Sequence, residues 1–504
     1  MGRRTSERGA PGEPHEHDRI VDFGGGAGSN EVTVVPWALM FRRRLVRHDR
    51  YRWVVLWTVL AGLFSVNVTF TILAVALDNI ASDLGTTENT LTWVITGPLL
   101  AFGVAAPALG KAGDMFGHKR VYLLGMAGAL LCAVGSALAW GPLPLIAIRT
   151  LGGLEGAATG AASMALVMRV FDRGERVKAM GWWSLVGAGG PVLGVVIGGF
   201  LLEIVTWRVL FLCQVPLVAA ALLLGVLVLP ETSRSQAERF DIPGAATLAL
   251  GITSLLFAIN RGPELGWSHW TVTVAFALSP IFLAIFVWVE LRTDAPLISL
   301  EYLRRRAFVA PVASQALANF AYMGGFILAP SLLQNVYGYG DSRVGLTVIA
   351  RPLSFSLLSP IAGYLAVRIG DRTSAVTGTA FVAASMFVFA SLGAESADWI
   401  IIAALSLSGI GLGVSSPSIA ASVANSVADA DLGIASAAQQ LMTQVGLVAG
   451  IQLMKTVQSS VTGSATGAAA LGGYRAAYLL GAAVCAVGIV LAAGTVNTKH
   501  TADP

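Results

Sequence analysis

Apolar residues in this chain come in long, nearly unbroken runs separated by short polar turns, with no polar face alternating along them. A helix needs about 20 apolar residues to cross the roughly 30 Å hydrocarbon core of a bilayer. Fourteen runs are long enough: 53–77, 91–110, 121–140, 143–169, 179–202, 208–229, 243–261, 270–290, 308–335, 343–367, 373–394, 398–424, 432–456 and 474–495. The pattern predicts an all-α integral membrane protein. An even number of spans puts both termini on one side, and basic residues identify that side as cytoplasmic. Arg42, Arg43, Arg44, Arg47, Arg50 and Arg52 precede the first run, and Lys119 and Arg120 follow the second. Arg169, Arg173, Arg176 and Lys178 lie between the fourth and fifth, and Arg304, Arg305 and Arg306 between the eighth and ninth. The alternate loops 78–89 and 393–398 contain no lysine or arginine, as exterior loops should.

Composition agrees with a bilayer environment. Only 12% of residues are charged and 55% are hydrophobic, against about a quarter charged in soluble domains. The net charge of +4 belongs to residues flanking apolar runs, so it reads as membrane orientation and not as a nucleic-acid surface. Cys132, Cys213 and Cys485 fall inside apolar runs and are expected to be packing residues, with no disulfide framework or metal site. With these boundaries none of the six histidines enters a span, so a buried histidine relay is not expected and proton chemistry falls to carboxylates. Residues 1–50 are expected to form a disordered basic cytoplasmic tail and 496–504 a second short tail. The FGGGAG at 23–28 follows no strand and opens no helix, so it is not a phosphate loop, and no nucleotide or other cofactor is expected. The first apolar run follows some fifty polar residues and is long enough to span, so it is not read as a signal peptide.

Two turns repeat each other: GKAGDMFGHKR at 110–120 and GYLAVRIGDR at 363–372. A basic glycine turn between two spans, once per half, marks an internal duplication. It implies an N-terminal six-helix bundle over 51–230 and a C-terminal one over 301–495. The seventh and eighth runs, within 231–300, would be an additional pair inserted after the polar stretch PETSRSQAERFD at 230–241.

Within the fourth run, a rise of about 1.5 Å per residue puts Glu155 roughly 18 Å from the exterior end, near the bilayer centre. A carboxylate there is costly unless protonated, paired or wet, and by default marks an ion or proton path. Binding a charged substrate or pairing with an arginine are the other roles open to it. Arg149, six residues earlier, falls about 120° around the helix and does not obviously pair with it; Arg351, in the tenth run, is a possible partner across a central cavity. Polar residues at helical spacing could line that cavity: Asn67 and Thr71 on the first span, Gln315, Asn319 and Tyr322 on the ninth, Gln440 and Gln444 on the thirteenth. Interhelical hydrogen bonding is the plainer explanation for each group. Gly187, Gly190, Gly194 and Gly198 on the fifth run form a side-chain-free seam for close helix approach, and Pro191 frees a backbone carbonyl there.

From residue 50 to 495 the chain resembles the major facilitator superfamily, and in particular its fourteen-span drug/proton antiporter branch. The loop signature is matched by Gly110, Asp114, Gly117, Lys119 and Arg120, with Met115 where an arginine is usual. The resemblance makes Asp114 part of a cytoplasmic gate, since an acid at a helix end can latch against cations and helix termini. Arg368 and Arg372 belong to the second copy, where Val367 replaces the acid and leaves the latch one-sided. RTLGGLEGAATG resembles the family's buried-arginine motif through Arg149, with Gly152 for the usual glutamine and Glu155 for a glycine. GAGGPVLGVVIGG at 187–199 resembles the antiporter signature, which implies export. WRVLFLCQVP at 207–216 and RGPELGW at 261–267 match further segments of the branch. Thr69 and Pro98 depart from it, standing where an acid and a tyrosine are frequent.

The resemblance implies a proton-coupled exporter of small amphiphilic compounds such as drugs, working by alternating access in a bacterial inner (plasma) membrane. Its partners would be a small-molecule substrate, protons and the lipid bilayer, and it would be monomeric. An importer, or an exporter of a metabolite or lipid, shares the same fold. A membrane-embedded enzyme or sensor would need paired catalytic residues or an appended signalling domain, and the sequence offers neither.

Overall fold

The computed structural model describes residues 50–497, apart from 92, 203, 233–239, 294–295, 298–299, 464 and 466. Tail expectations for 1–49 and 498–504 lie outside the described residues, as do the side chains of Thr71 and Pro191. Among the described residues every regular element is a helix, and fourteen have 20 residues or more. These are α1 Tyr51–Asp83, α2 Trp93–Phe116, α3 His118–Ala137, α4 Pro142–Val170, α5 Arg176–Leu202, α6 Trp207–Val228 and α7 Ile242–Leu265. They continue with α8 Trp270–Glu290, α9 Arg306–Asn335, α10 Ala350–Ile369, α11 Asp371–Ser391, α12 Asp398–Asn425, α13 Leu432–Thr462 and α14 Leu471–Ala492. Each apolar run of the sequence falls on one of them.

Among the described residues, eleven of these helices are long and apolar enough to cross a membrane. α13 is more polar, carrying Gln439, Gln440, Gln444, Gln452, Lys455 and Gln458. Large apolar side chains such as Leu124, Leu131, Trp140, Leu223 and Trp288 stand exposed on the outside of the helix assembly, as a lipid-facing surface requires. Cys213 also stands exposed, against the expectation that all three cysteines pack inside, whereas Cys485 is buried.

Packing repeats the duplication seen in the turns. Within α1–α6, α1 packs on α4, α5 and α6, α2 on α4, and α3 on α4 and α6. Within α9–α14 the same relations recur: α9 with α12, α13 and α14, α10 with α12, and α11 with α12 and α14. The two sets meet through α2 with α13 and α5 with α10, flanked by α4 with α13 and α5 with α12. Exchanging the sets exchanges these pairs, so the arrangement has a two-fold relation. The hairpin α7–α8 breaks it: α7 packs on both α2 and α13, and α8 packs on α7.

Close crossings use glycine, because van der Waals packing of small residues replaces the hydrophobic drive between helices in lipid. A side chain on Gly450 of α13 would meet the Phe320 carbonyl of α9, and one on Gly411 of α12 would meet the Gly378 carbonyl of α11. Gly450→Ala should therefore lower stability by about 1–3 kcal/mol. Gly472→Ala, in the first turn of α14 with open space around it, should leave the thermal midpoint in detergent unchanged or slightly raised. Parallel thermal melts of the two variants check the contrast.

Candidate functional site

The end of the molecule carrying the α2–α3, α4–α5 and α10–α11 turns, called here the basic end, is tied shut between the two helix sets. At the end of α2, Gly110 lies against the backbone of Gly433 in α13, each occupying the space a side chain on the other would need. That approach brings the buried Asp114 carboxylate to the start of α13. It accepts hydrogen bonds from the backbone N–H groups of Gly433 (3.0 Å) and Ile434 (2.9 Å). An anion at these otherwise unsatisfied N–H groups is also favoured by the helix dipole. Arg169 Nη2 at the end of α4 lies 3.3 Å from Asp114 Oδ1 and reaches the Ala430 carbonyl.

His118 corrects the sequence reading. It opens α3, three residues earlier than the apolar run begins, is fully buried, and places Nε2 3.1 Å from Asp114 Oδ1. Its four-residue spacing from Asp114 was the available signal; the boundary drawn at 121 hid it. Gly117, with φ of +100°, makes the turn between the two helices. Lys119 pairs with Glu231 at 3.1 Å, and the His118 N–H donates to Thr232 Oγ1 at 2.8 Å, so the segment after α6 folds back over the turn. Arg120 is exposed.

The second turn has the same skeleton without the acid at the place of Asp114, and its own acid, Asp371, is buried at the start of α11. Gly370 has φ of +90°, and the Arg372 N–H donates to Asn497 Oδ1, from the segment after α14. Gly363 packs on the Val177 carbonyl and on Gly181 of α5, as Gly110 packs on α13. Val367, at the acid's place, lies with Val177, Ala366 and Ala421. Arg368 is exposed beside it.

Between the two turns, the α4–α5 and α12–α13 connections face each other. Arg176 is buried and bridges them: Nε donates to the Met168 carbonyl (2.8 Å), Nη1 to Asn425 Oδ1 (2.9 Å) and Nη2 to Asp429 Oδ1 (3.0 Å). Asn425 in turn donates to the Arg173 carbonyl. Tyr302, just before α9, donates to Asp431 at 2.6 Å. Burial, and then that hydrogen bond, push the Tyr302 phenol above its usual pKa, so it remains a donor. At the opposite end the ion pairs Arg208–Asp83 and Arg343–Asp398 stay within one helix set.

A second polar cluster lies inside α1–α6. Glu155 Oε1, Arg149 Nη1 and Cys132 Sγ stand 3.8, 3.9 and 4.0 Å from the point where a Gly152 side chain would begin. Glycine in place of the branch's usual glutamine thus leaves room for both charges, and they interact electrostatically. Glu155 Cβ faces Gly128 of α3, and Oε2 is buried without a hydrogen-bond partner. Arg149 is 4% exposed, with its guanidinium 5.8 Å from the Phe211 ring. Helical angle alone kept these residues apart; their length and the small residues on α3 and α4 bring them together. Arg351 is not the partner of Glu155. It is fully buried among α9–α12, donating to the Tyr322 carbonyl (2.8 Å) and to Ser408, with the Tyr322 ring 5.1 Å away.

Of the other polar groups, Gln440 on α13 points at Gly160 of α4, and Gln444 lies near Gly103 of α2, both across the meeting of the two sets. Gln315 and Asn319 are buried; Asn319 donates to the Gln315 carbonyl, and the Gln315 and Gln444 side-chain carbonyls are buried without partners. Asn67 faces Gly190. Of the glycines read as a seam on the fifth helix, Gly190 meets Asn67 and Phe64 of α1 and Gly187 has only Trp183 within 4 Å; Gly181 and Gly189, outside that set, meet α10. Gly194 is buried. Gln214, from the WRVLFLCQVP segment, donates to the Ser65 carbonyl and ties α6 to α1.

Two six-helix sets related by a two-fold exchange, with one charged glycine turn latched across them, match the sequence-level resemblance, and comparison with known proteins decides the family. The sequence matches the Major Facilitator Superfamily over residues 58–340 and again over 312–503. The chain belongs to the major facilitator superfamily. It is similar to the multidrug resistance protein Stp of Mycobacterium tuberculosis, with 28% identity over 79% of this chain and 74% of that protein. It is 29% identical to the tetracenomycin C resistance and export protein of Streptomyces glaucescens, over 82% of this chain and 77% of that one. It is 30% identical to a puromycin resistance protein of Streptomyces alboniger, over 82% and 83%. Among solved structures, the human organic anion transporter MFSD10 aligns with a TM-score of 0.63 at 17% identity, covering 88% of this chain and 99% of that one. The proton:xylose symporter XylE aligns with a TM-score of 0.63 at 13% identity, covering 86% and 95%. The chain is accordingly a multi-pass membrane transporter and not an enzyme, with the fold of the superfamily.

The latch geometry makes a direct prediction. Asp114→Ala strands two buried N–H groups, each worth about 1–3 kcal/mol, so closure at the basic end should weaken by tenfold or more. In a Gln440→Cys background, labelling by a membrane-impermeant maleimide from the basic side should speed up accordingly. Asp114→Asn, which keeps an acceptor, should show a smaller increase.

Proposed function

We propose that this transporter is a proton-coupled exporter of small amphiphilic compounds, drugs or antibiotics among them, working by alternating access in the bacterial inner membrane. The two six-helix sets, 51–230 and 301–495, rock as bundles; α7 and α8 within 231–300 are an additional pair, giving fourteen spans with both termini cytoplasmic. The observation that carries this reading is the seal at the basic end. It joins the sets by hydrogen bonds and ion pairs that can be broken and remade, and so it suits a state closed to the cytoplasm. Three relatives at 28–30% identity are named for drug or antibiotic resistance or export, which supports outward transport.

Glu155 is the proposed coupling carboxylate, with Arg149 biasing its charge state. Proton uptake from outside would neutralise it, and release to the inside would restore its pairing with Arg149. Gln440 and Gln444, where α13 faces the N-terminal set, and Asn67, Thr71, Gln315, Asn319 and Tyr322 are the proposed neutral lining toward substrate, with Arg351 enclosed behind Tyr322. The proximity of Arg149 also favours a second reading, in which Glu155 serves as its structural partner between α3 and α4.

Drug accumulation in a pump-deficient host separates these readings. Wild-type protein should lower accumulation, and a proton uncoupler should abolish the effect. Glu155→Gln should lose uphill, uncoupler-sensitive efflux while still folding and exchanging substrate in counterflow. Full uncoupler-sensitive efflux by Glu155→Gln, together with a lowered thermal midpoint, would leave the carboxylate a structural role only. Equal accumulation with and without the wild-type protein across a broad drug panel would count against drug export.

A further inference from the structure

The two glycine turns differ in charge at four aligned positions: Lys111, Asp114, Met115 and His118 of the first stand where the second has Tyr364, Val367, Arg368 and the buried Asp371. Asp114 puts a negative charge where α2 meets α13; Val367 puts none where α10 meets α5. Two cations stand at the second seam, Lys178 and Arg368. Between the first turn of α5 and the last turn of α10 lies a cavity of about 350 Å³, lined by Lys178, Tyr364, Leu365, Val367 and Arg368. Lys178 Nζ stands 5.9 Å from the Tyr364 ring centroid. Its nearest acid, Glu175 at 3.4 Å, is shared with Arg52. The cavity therefore holds two cations beside an aromatic ring and no lining acid.

Its surroundings define the ligand further. Leu353, Leu357, Ile361 and Leu365 recur every fourth residue along α10 and are 45–60% exposed, forming an apolar stripe that runs into the cavity. From the first to the last is about 18 Å of helix, close to the depth of one leaflet of a roughly 30 Å hydrocarbon core. A soluble phosphate could meet the cations but would leave the stripe uncovered. One ligand class matches both parts, with its acyl chain along α10 and its head group among Lys178, Arg368 and Tyr364.

We propose that this cavity binds the head group of an anionic phospholipid of the inner leaflet. The lipid supplies at the α5–α10 seam the negative charge that Asp114 supplies at the α2–α13 seam. The proposal rests on the orientation that places the basic end at the cytoplasmic head groups, and its test reads lipid retention, not transport, so it stands or falls separately from the export reading.

The test is native mass spectrometry of the purified full-length protein equilibrated with equal amounts of phosphatidylglycerol and phosphatidylcholine. Wild-type protein should retain phosphatidylglycerol several-fold over phosphatidylcholine. Lys178→Gln with Arg368→Gln should bring the two lipids to parity, whereas Lys178→Arg with Arg368→Lys should keep the preference. Val367→Asp, which supplies the missing acid and leaves both cations in place, should also reduce phosphatidylglycerol retention. No preference in the wild type, an undiminished preference in the double glutamine variant, or displacement of the lipid by inorganic phosphate alone would overturn the assignment.

Discussion

The contact of α2 with α13 at Gly110 and Gly433 is the constraint on which the gate depends. With the backbones touching, Asp114 reaches two N–H groups at the start of a helix in the other set. One methyl group's width of extra separation would leave the carboxylate buried without those donors, a costly state for a charge. The neighbouring charges Arg169 and His118 then act on a carboxylate whose position is already fixed by backbone.

Duplication produced two equivalent connections, and divergence gave them opposite charge. The α4–α5 segment carries Arg169, Arg173, Arg176 and Lys178 against Asp172 and Glu175, a net positive charge, and the α12–α13 segment carries Asp429 and Asp431. Facing one another across the two-fold relation, they attract where two identical copies would repel. Arg176 extends the arrangement by bonding backbone carbonyls and side chains from both sets, which ties closure to the ends of α4 and α12.

The helices, their order and the internal repeat were legible in the sequence because apolar run length and glycine turns are local signals. Contacts between distant segments were less so. Asp114 could be recognised as a latch, but its partners at Gly433 and Ile434, some 320 residues away, follow from the fold. His118 was missed because the end of a span was taken where hydropathy rises, whereas the helix starts at the glycine turn. Arg351 looked available to Glu155 because both sit in apolar runs; only the packing of α9–α12 shows it enclosed. Spacing picked out the α5 glycines that include Gly190, which meets α1, but gave no sign of Gly181 and Gly189, which meet α10.

The hairpin α7–α8 leaves the two seams mechanically unequal. Because α7 lies on both α2 and α13, separating that pair must slide or detach α7 from one of them, while separating α5 from α10 disturbs no such bridge. Relative motion of the two sets therefore meets drag along one edge and little along the other. Rocking about an axis skewed toward the α2–α13 edge costs less than the symmetric motion that the duplicated framework alone would favour.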